Sequence, residues 1–301
     1  MNHSPAPPGV WRRLRRNPVA VASLAILAAI VLLAVLGPFF LPVGSHVTSR
    51  EQFHAPSLRH LCGTDVNGRD VFARVLEGAR ISMAVGLAGA LVALLLGTSY
   101  GMIAGYAGGR VDSLMMRFVE ILYAIPRLIL IIIASFVFDP ILKTHLAGVA
   151  GGALVGYSRI LILIIALGLI EWLTMARIVR GQVLALKNEQ FVLAARSLGQ
   201  SHFRILSRHL LPNLAGVVIV YLTLTIPAVI LDETFLSFLG LGIQPPQASW
   251  GSLLSDGAQA INPVRSYWWL LFFPALAMSL TLLALNFLGD ALRDALDPRR
   301  R

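Results

Sequence analysis

Long runs of uncharged, apolar residues alternate with short basic segments along this chain of 301 residues. About 20 apolar residues are enough to carry a helix across the hydrocarbon layer of a bilayer. Three of the runs reach that length, and the other three come close to it, with 17 or 18 residues. The pattern therefore predicts an all-α integral membrane protein whose six spans lie near Val19–Phe40, Ile81–Gly109, Ile121–Phe138, Ile160–Ala176, Leu214–Leu231 and Trp268–Leu288.

One of these runs has a nearly bare helix face. Residues four apart lie on the same side of a helix, and small side chains there let a neighbouring backbone approach closely in a membrane. The second run therefore predicts a tight contact with another helix. The small residues that recur at every fourth position are Gly89, Ala93, Gly97, Gly101 and Gly105.

Composition and charge agree with this pattern. Hydrophobic residues make up 56% of the chain and charged residues only 13%, whereas soluble domains carry about 25% charged residues. A net charge of +10 would suggest nucleic acid in a soluble protein, but membrane proteins place Lys and Arg in cytoplasmic loops. Six spans put about twice as many Lys and Arg residues on the cytoplasmic side as outside. Both termini are therefore expected in the cytoplasm, and no nucleic-acid partner is expected.

A seventh crossing at Leu146–Tyr157 is the main alternative topology. This stretch has 12 residues, of which four are glycine, so it is too short to span the bilayer as a helix. An extra crossing would also move the basic residues between Arg177 and Arg208 to the outside. We therefore expect an external hairpin at 139–158, or a re-entrant loop within it.

The cytoplasmic segment between the fourth and fifth predicted spans, residues 177–213, shows helical spacing of its apolar residues. Gly199 is a natural helix end and Ser201 can cap a second helix, so two short helices should meet at Gly199. Ala194 and Ala195 leave a shallow surface that suits insertion into a groove of another protein. On spacing alone, the two helices could equally well only cover the ends of the spans.

The run LAARSLG, followed by nine residues and then HLLP, resembles the EAA loop of type I ABC importer permeases. The resemblance places Leu193, Ala194, Ala195, Gly199, Leu211 and Pro212 on the motif, with Leu198 beside Gly199. It implies a coupling helix that docks on an ATP-binding subunit. Leu193 stands where the family usually has Glu, and Glu189 lies one turn earlier.

Three further runs, Gly63–Leu87, Glu233–Gly257 and Gly289–Arg299, resemble the C-type permease subunit of peptide importers, and Glu171–Gln182 is most similar to the oligopeptide branch. The resemblance implies a bacterial cytoplasmic-membrane permease for oligopeptides, with dipeptides, glutathione or a metal chelate as alternative cargo. It implies three kinds of partner: a second homologous permease, two ATP-binding subunits and an extracytoplasmic peptide-binding protein. It divides the chain into residues 1–79 with the first span, a transmembrane domain at 80–290, and a cytoplasmic tail at 291–301.

The sequence has no G-x-x-x-x-G-K-[ST] loop, which would cradle nucleotide phosphates, and no clustered Cys and His ligands for a metal. We therefore expect no catalytic residue and no cofactor in this chain, and the resemblance implies that ATP and Mg²⁺ bind to the partner subunits. The single cysteine, Cys62, is expected to have no functional role. An ion-coupled secondary transporter would instead show inverted repeats, and no convincing repeat is present.

Four charged residues lie within or beside the predicted spans: Arg127, Glu171, Asp232 and Glu233. A charge at the centre of a membrane helix costs about 2.5–3.5 kcal/mol and usually faces a cavity or a partner. These residues are therefore candidates for a translocation path or a subunit interface. Glu171, Asp232 and Glu233 lie near span ends, so anchoring at the membrane surface is the alternative. Pro126 and Pro227 are expected to bend their helices.

Overall fold

The computed structural model describes residues 10–40, 44–149, 157–262 and 264–296. Within these ranges the regular structure is helical, apart from one isolated β-bridge between Thr64 and Asp70. A π-helical stretch, Ile205–Leu210, joins α8 to α9. The α-helices are α1 (Val10–Arg16), α2 (Pro18–Phe40), α3 (Val71–Ala107), α4 (Gly109–Ala124), α5 (Arg127–Val149), α6 (Ser158–Leu186), α7 (Gln190–Ser197), α8 (His202–Arg204), α9 (Leu211–Phe238), α10 (Trp250–Gln259) and α11 (Trp269–Leu296).

Six helical segments of the described chain are long and apolar enough to cross a membrane, which confirms the predicted number. They are Pro18–Gly37, Val71–Ala107, Arg127–His145, Ser158–Leu186, His202–Phe238 and Trp269–Leu296. The chain divides into two compact units. The first contains the residues up to Gly86 and those from Ile230 onward, and the second contains Leu87–Val229.

In the second unit, the bare face of α3 packs against α6, as the spacing of small residues predicted. A Cβ atom added to Gly97 would lie 2.5 Å from the Cβ atom of Met175. One added to Gly101 would overlap the carbonyl oxygen of Ala176, and one added to Gly105 would lie 2.9 Å from that of Arg180. No side chain larger than hydrogen fits at these positions without moving one of the two helices.

The third predicted span was wrong in its bounds, although the break within it is confirmed. The described chain has α4 ending at Ala124 and α5 beginning at Arg127, with Ile125 in an extended conformation. Pro126 explains the break, because proline lacks a backbone N–H and disfavours a helical conformation in the residue before it. The apolar segment then runs from Arg127 to His145, later than the predicted Ile121–Phe138.

The external hairpin predicted at 139–158 is wrong over its first half, because α5 continues to Val149. Asp139, the first residue of the predicted hairpin, is paired within the helical structure. The Asp139 carboxylate accepts hydrogen bonds from the Lys143 ammonium at 2.7 Å and from the Arg159 guanidinium at 3.1 Å. A neutralised carboxylate at helical spacing from its lysine is compatible with a helix. Residues 150–156 lie outside the described ranges, so a loop there stays a prediction.

In the first unit, the segment before α3 is organised around Asp65. Its carboxylate accepts hydrogen bonds from the backbone N–H groups of Asn67 and Arg69, and from the side chains of Arg69 and Arg74, at 2.8–2.9 Å. The indole N–H of Trp269 donates to the Thr64 carbonyl at 3.2 Å. This segment is therefore fixed to the first turns of α3 and α11. In the same unit, α2 packs along α11.

The predicted orientation can be tested by cysteine labelling in a Cys62→Ala background. We expect Gln244→Cys, between α9 and α10, to react with a membrane-impermeant maleimide in intact cells. Arg204→Cys, in α8 on the predicted cytoplasmic side, should react only after the membrane is opened. Both positions are exposed, so access to the reagent decides the result. Labelling of Arg204→Cys in intact cells would show that the assignment of sides is wrong.

Candidate functional site

Helix α7 lies against the chain's own core. Val192 and Ala195 point inward and pack with residues from the end of α6 and the beginning of α9. Ala195 is only 3% exposed, so the prediction that its small side chain meets a partner was wrong. The spacing of apolar residues shows that α7 has a buried face, but it does not show which molecule covers that face. Ala194, the preceding residue on the helix, is exposed as expected.

The predicted helix end at Gly199 is confirmed. Gly199 has φ +72°, and its N–H donates to the Arg196 carbonyl at 2.9 Å. The N–H of Gln200 donates to the Ala195 carbonyl at 3.2 Å. These two bonds form a Schellman motif, which satisfies carbonyls left over at a helix end. A Cβ atom at Gly199 would meet nothing within 4 Å, so glycine is favoured here by backbone conformation and not by space.

The second predicted helix begins where expected but is not a separate short helix. The Ser201 hydroxyl caps it by accepting a bond from the Arg204 N–H at 3.4 Å. From His202 the helix then continues to Phe238. The π-helical stretch lies just before Pro212, and there the Leu211 N–H donates to the Leu206 carbonyl. Since Pro212 has no N–H and would crowd the carbonyl four residues earlier, a wider turn at this point relieves the conflict.

Four exposed apolar residues surround Gly199, and we call them the coupling corner: Leu193, Ala194, Leu198 and Phe203. Leu198 is 80% exposed and Phe203 is 79% exposed, and contiguous exposed apolar patches are typical of interaction sites. Leu211, Pro212 and Glu189 are exposed as well. Phe203 was not among the residues predicted for this site. Its position two residues after the helix cap Ser201 was the available signal.

Arg127 and Glu171 are brought together by α5 and α6. A guanidinium nitrogen of Arg127 lies 3.2 Å from a carboxylate oxygen of Glu171. Arg127 is half exposed, and the Glu171 side chain is mostly buried. Beside this pair, the Tyr123 hydroxyl bonds to the Thr174 hydroxyl, and the Arg177 guanidinium lies 3.8 Å from the centre of the Tyr123 ring.

We call these five residues the polar stripe: Tyr123, Arg127, Glu171, Thr174 and Arg177. Tyr123, Thr174 and Arg177 were not predicted as site residues. Thr174 and Arg177 follow Glu171 at intervals of three residues, which places them on nearly the same helix face. That spacing was the signal available in the sequence.

Glu233 is fully buried within the first unit, at 0% exposure. Its carboxylate accepts hydrogen bonds from the hydroxyls of Ser237 at 2.6 Å and Ser82 at 2.9 Å. Ser82 in turn accepts a bond from the backbone N–H of Trp250 at 3.2 Å. The carboxylate thus connects α9, α3 and the first turn of α10. Both the predicted placement of Glu233 on a path or interface and the alternative of a surface anchor were wrong.

Asp232 is also buried, at 5% exposure. The prediction that Asp232 lies on a translocation path or a subunit interface was therefore wrong, and so was the alternative of a surface anchor, because the side chain is covered by the chain itself. The apolar run that ends at Leu231 suggested a span end, but α9 continues to Phe238. The two carboxylates lie inside a helix that is longer than predicted, and the rest of the chain covers them.

Cys62 is buried, and the loss of solvent together with the nearby Asp70 carboxylate raises its pKa to about 12. At neutral pH this thiol is protonated and a poor nucleophile. Among the described residues, no group of three or more His, Cys, Asp or Glu side chains is arranged to hold a metal ion.

Two family models match this chain. Residues 97–301 match the family described as binding-protein-dependent transport system inner membrane component. Residues 9–56 match the N-terminal transmembrane domain of oligopeptide transport permease C. The chain therefore belongs to the family of binding-protein-dependent inner-membrane transport components.

Several relatives are similar over nearly the whole chain. The dipeptide transport system permease protein DppC of Bacillus subtilis is 48% identical over 97% of this chain and 85% of its own length. The oligopeptide transport system permease protein OppC is 47% identical in Haemophilus influenzae, over 96% of this chain and 88% of the relative. OppC of Escherichia coli K12 is 45% identical, over 96% of this chain and 90% of the relative.

Among solved structures, an inward-facing form of the MetNI methionine ABC transporter is similar to this chain. The TM-score is 0.55 at 16% sequence identity, and the match covers 74% of this chain and 96% of that one. This likeness supports the fold of an ABC importer permease. The chain is thus a multi-pass, non-catalytic permease subunit of the bacterial inner membrane, in a family that works with ATPase subunits and a binding protein.

Proposed function

We propose that this chain is one of two homologous permease subunits of a peptide importer, assembled with two ATP-binding subunits and an extracytoplasmic peptide-binding protein. The coupling corner is the observation that carries the proposal. It presents apolar side chains to water at the cytoplasmic end of the longest helical segments. An exposed apolar surface of this kind is stabilised when a groove of another protein covers it. ATP and Mg²⁺ then belong to the ATP-binding partners.

The partner groove would contact Ala194, Leu198 and Phe203. Leu193 extends the apolar surface, because it is exposed on α7 where the family resemblance implies an acid. Glu189 is exposed at the N-terminal end of α7, where a negative charge is favoured by the helix dipole. In this proposal the contact at the motif's first position is apolar, and Glu189 does not replace the missing acid.

The polar stripe supports a place for Arg127 and Glu171 on the translocation path. Arg127, Thr174 and Arg177 are exposed in the chain alone. Charged and polar side chains at membrane depth face a bundle interior or a water-filled cavity, because exposure to lipid is costly. We therefore assign this face to a cavity shared with the second permease. Glu171 holds the Arg127 guanidinium in place by their ion pair.

The cargo is proposed to be a peptide. Relatives at 42–48% identity carry the names of oligopeptide and dipeptide transport proteins. One relative named for dipeptide transport is 48% identical to this chain, and one named for oligopeptide transport is 47% identical. Sequence identity alone therefore does not show which of the two cargoes this chain carries. We propose oligopeptides on the similarity of Glu171–Gln182 to that branch.

Reconstitution of the complete complex into proteoliposomes tests the function. We expect uptake of a radiolabelled pentapeptide to require both ATP and the binding protein, and to continue when ionophores collapse the ion gradients. A labelled dipeptide and glutathione, added separately, report the cargo range. Uptake that persists without ATP and stops with the ionophores would instead show a secondary transporter.

A further inference from the structure

The first helix, α1, brings a cluster of basic residues to the end of α11. Arg12, Arg15 and Arg16 are exposed, while the Arg13 guanidinium donates to the Ala295 carbonyl at 3.3 Å. This bond attaches α1 to the last turn of α11. Trp11 is also exposed, and the Arg15 guanidinium lies 4.9 Å from the centre of its ring. A short helix rich in arginine with an exposed tryptophan is typical of the membrane–water interface.

An apolar groove begins immediately after this cluster. It has a volume of about 400 Å³ and runs between the first half of α2 and the second half of α11. This volume is within the range of small-ligand sites in proteins. Both helices belong to the same compact unit as α1. The groove is lined by Val19, Ala22, Ile26, Leu280, Leu283 and Phe287, among others.

Charge and position select the occupant of this groove. Pro18, at the groove mouth, is only two residues beyond Arg16, so the basic side chains lie at the level where the groove opens. Helix α1 and the last two turns of α11 together hold five arginines against two aspartates, Asp290 and Asp294. The mouth of the groove therefore carries a net positive charge, and the groove itself is apolar. A molecule with a negative head and an apolar chain satisfies both features at once.

We propose that α1 and the α2–α11 groove form a binding site for an anionic phospholipid of the cytoplasmic leaflet. The exposed arginines Arg12, Arg15 and Arg16 hold the lipid phosphate. One acyl chain lies in the groove against Ala22 and Phe287. The site attaches the first span to the membrane on the side where anionic lipids attract basic segments.

The competing explanation is that the arginines only set the orientation of the first span. In that case binding to anionic lipid would be diffuse and would not depend on the shape of the groove. Ala22 lines the groove, whereas Ala28 is exposed on another face of the same helix. A lipid in the groove predicts that a bulky residue weakens binding at Ala22 and not at Ala28, whereas diffuse attraction predicts equal binding for both changes. A bulky residue at Ala22 fills the proposed acyl-chain site without changing any charge.

The test uses the complete purified complex in nanodiscs of phosphatidylcholine. Spin-labelled phosphatidylglycerol and spin-labelled phosphatidylcholine serve as probes, and electron spin resonance gives their relative association constants. Each arginine near an anionic lipid surface contributes roughly fivefold in binding. We therefore expect the triple change Arg12→Gln, Arg15→Gln, Arg16→Gln to lower the preference for phosphatidylglycerol at least tenfold, and the corresponding three lysine substitutions to retain most of it.

The groove arm of the test uses Ala22→Trp with Ala28→Trp as its matched control. We expect Ala22→Trp to reduce phosphatidylglycerol association severalfold and Ala28→Trp to leave it unchanged. Equal values for these two variants would overturn the proposal, even if the arginine variants lose binding, because the attraction would then be diffuse. Unchanged lipid preference in the glutamine triple variant, accompanied by loss of the ATP-binding subunits, would also overturn it, since α1 would then be a protein interface.

Discussion

Replacing Leu198 with aspartate should lower peptide uptake at least tenfold while leaving the amount of the chain in the membrane unchanged. Leu198 is 80% exposed, so the chain itself loses almost no packing. In a partner groove, by contrast, a residue that acts as a hot spot contributes about 2 kcal/mol or more. A carboxylate at that position adds the cost of burying a charge. Uptake by cells, together with immunoblots of the membrane fraction, measures both quantities.

Three further variants show whether the loss belongs to the coupling corner. Phe203→Asp should behave like Leu198→Asp, and both should weaken co-purification of the ATP-binding subunits or abolish stimulation of ATP hydrolysis by the loaded binding protein. Asn188→Asp adds the same charge at an exposed position outside the corner, and it should transport normally. Ala195→Asp should lower the membrane level, because Ala195 is buried in the chain's own core.

A normal rate of transport in both Leu198→Asp and Phe203→Asp would remove the coupling role from this corner. The α7 helix and the beginning of α9 would then only cover the ends of the spans. That result would leave the membership in the permease family unaffected, since it rests on the match over residues 97–301.

The second large effect is expected from Gly101→Val. An added Cβ atom at Gly101 would overlap the Ala176 carbonyl oxygen and would lie 2.9 Å from the Cβ atom of Val179. Backbone atoms cannot rotate away as side chains do, so α3 and α6 must separate. Overpacking of a well-filled core costs about 1–3 kcal/mol or more. We expect the destabilisation by Gly101→Val to lie at the upper end of this range. It should appear as a loss of folded protein after solubilisation and as a lower Tm of the purified complex.

Gly216→Val is the matched control for this change. Gly216 lies in α9, and an added Cβ atom would meet nothing within 4 Å. Both substitutions put the same side chain into a membrane segment of the second unit, so their effect on insertion should be similar. Equal stability of the two variants would show that α3 and α6 are not in the close contact described.

The sequence predicted best those features that depend on local chemistry. Runs of apolar residues identified the membrane segments because a helix must satisfy its own backbone hydrogen bonds in lipid. The interval of four between small residues on α3 identified its close approach to another helix. Gly199 and Ser201 marked the end of one helix and the beginning of the next, because positive φ and N-terminal capping each favour particular residues.

Features that depend on neighbours in space were not predictable in the same way. The spacing around Ala195 predicted a helix with one apolar side, but only the packing of α6 and α9 shows that Ala195 faces inward. The third predicted span ended just before Asp139, but α5 continues through it, and Arg159 on the next helix pairs with its carboxylate. Glu233 suggested a path or a surface, and its burial depends on Ser82, 151 residues earlier in the chain.

The π-helical stretch Ile205–Leu210 connects the coupling corner to the long helical segment that follows it. It lies between Phe203 and the rest of the segment that runs to Phe238. A π-helical turn contains one residue more than an α-helical turn. A return to regular bonding would therefore rotate the preceding residues by about 100° around the helix axis, which is the angle per residue of an α-helix. A push at the corner can thus act on the long helix as a torque as well as a displacement.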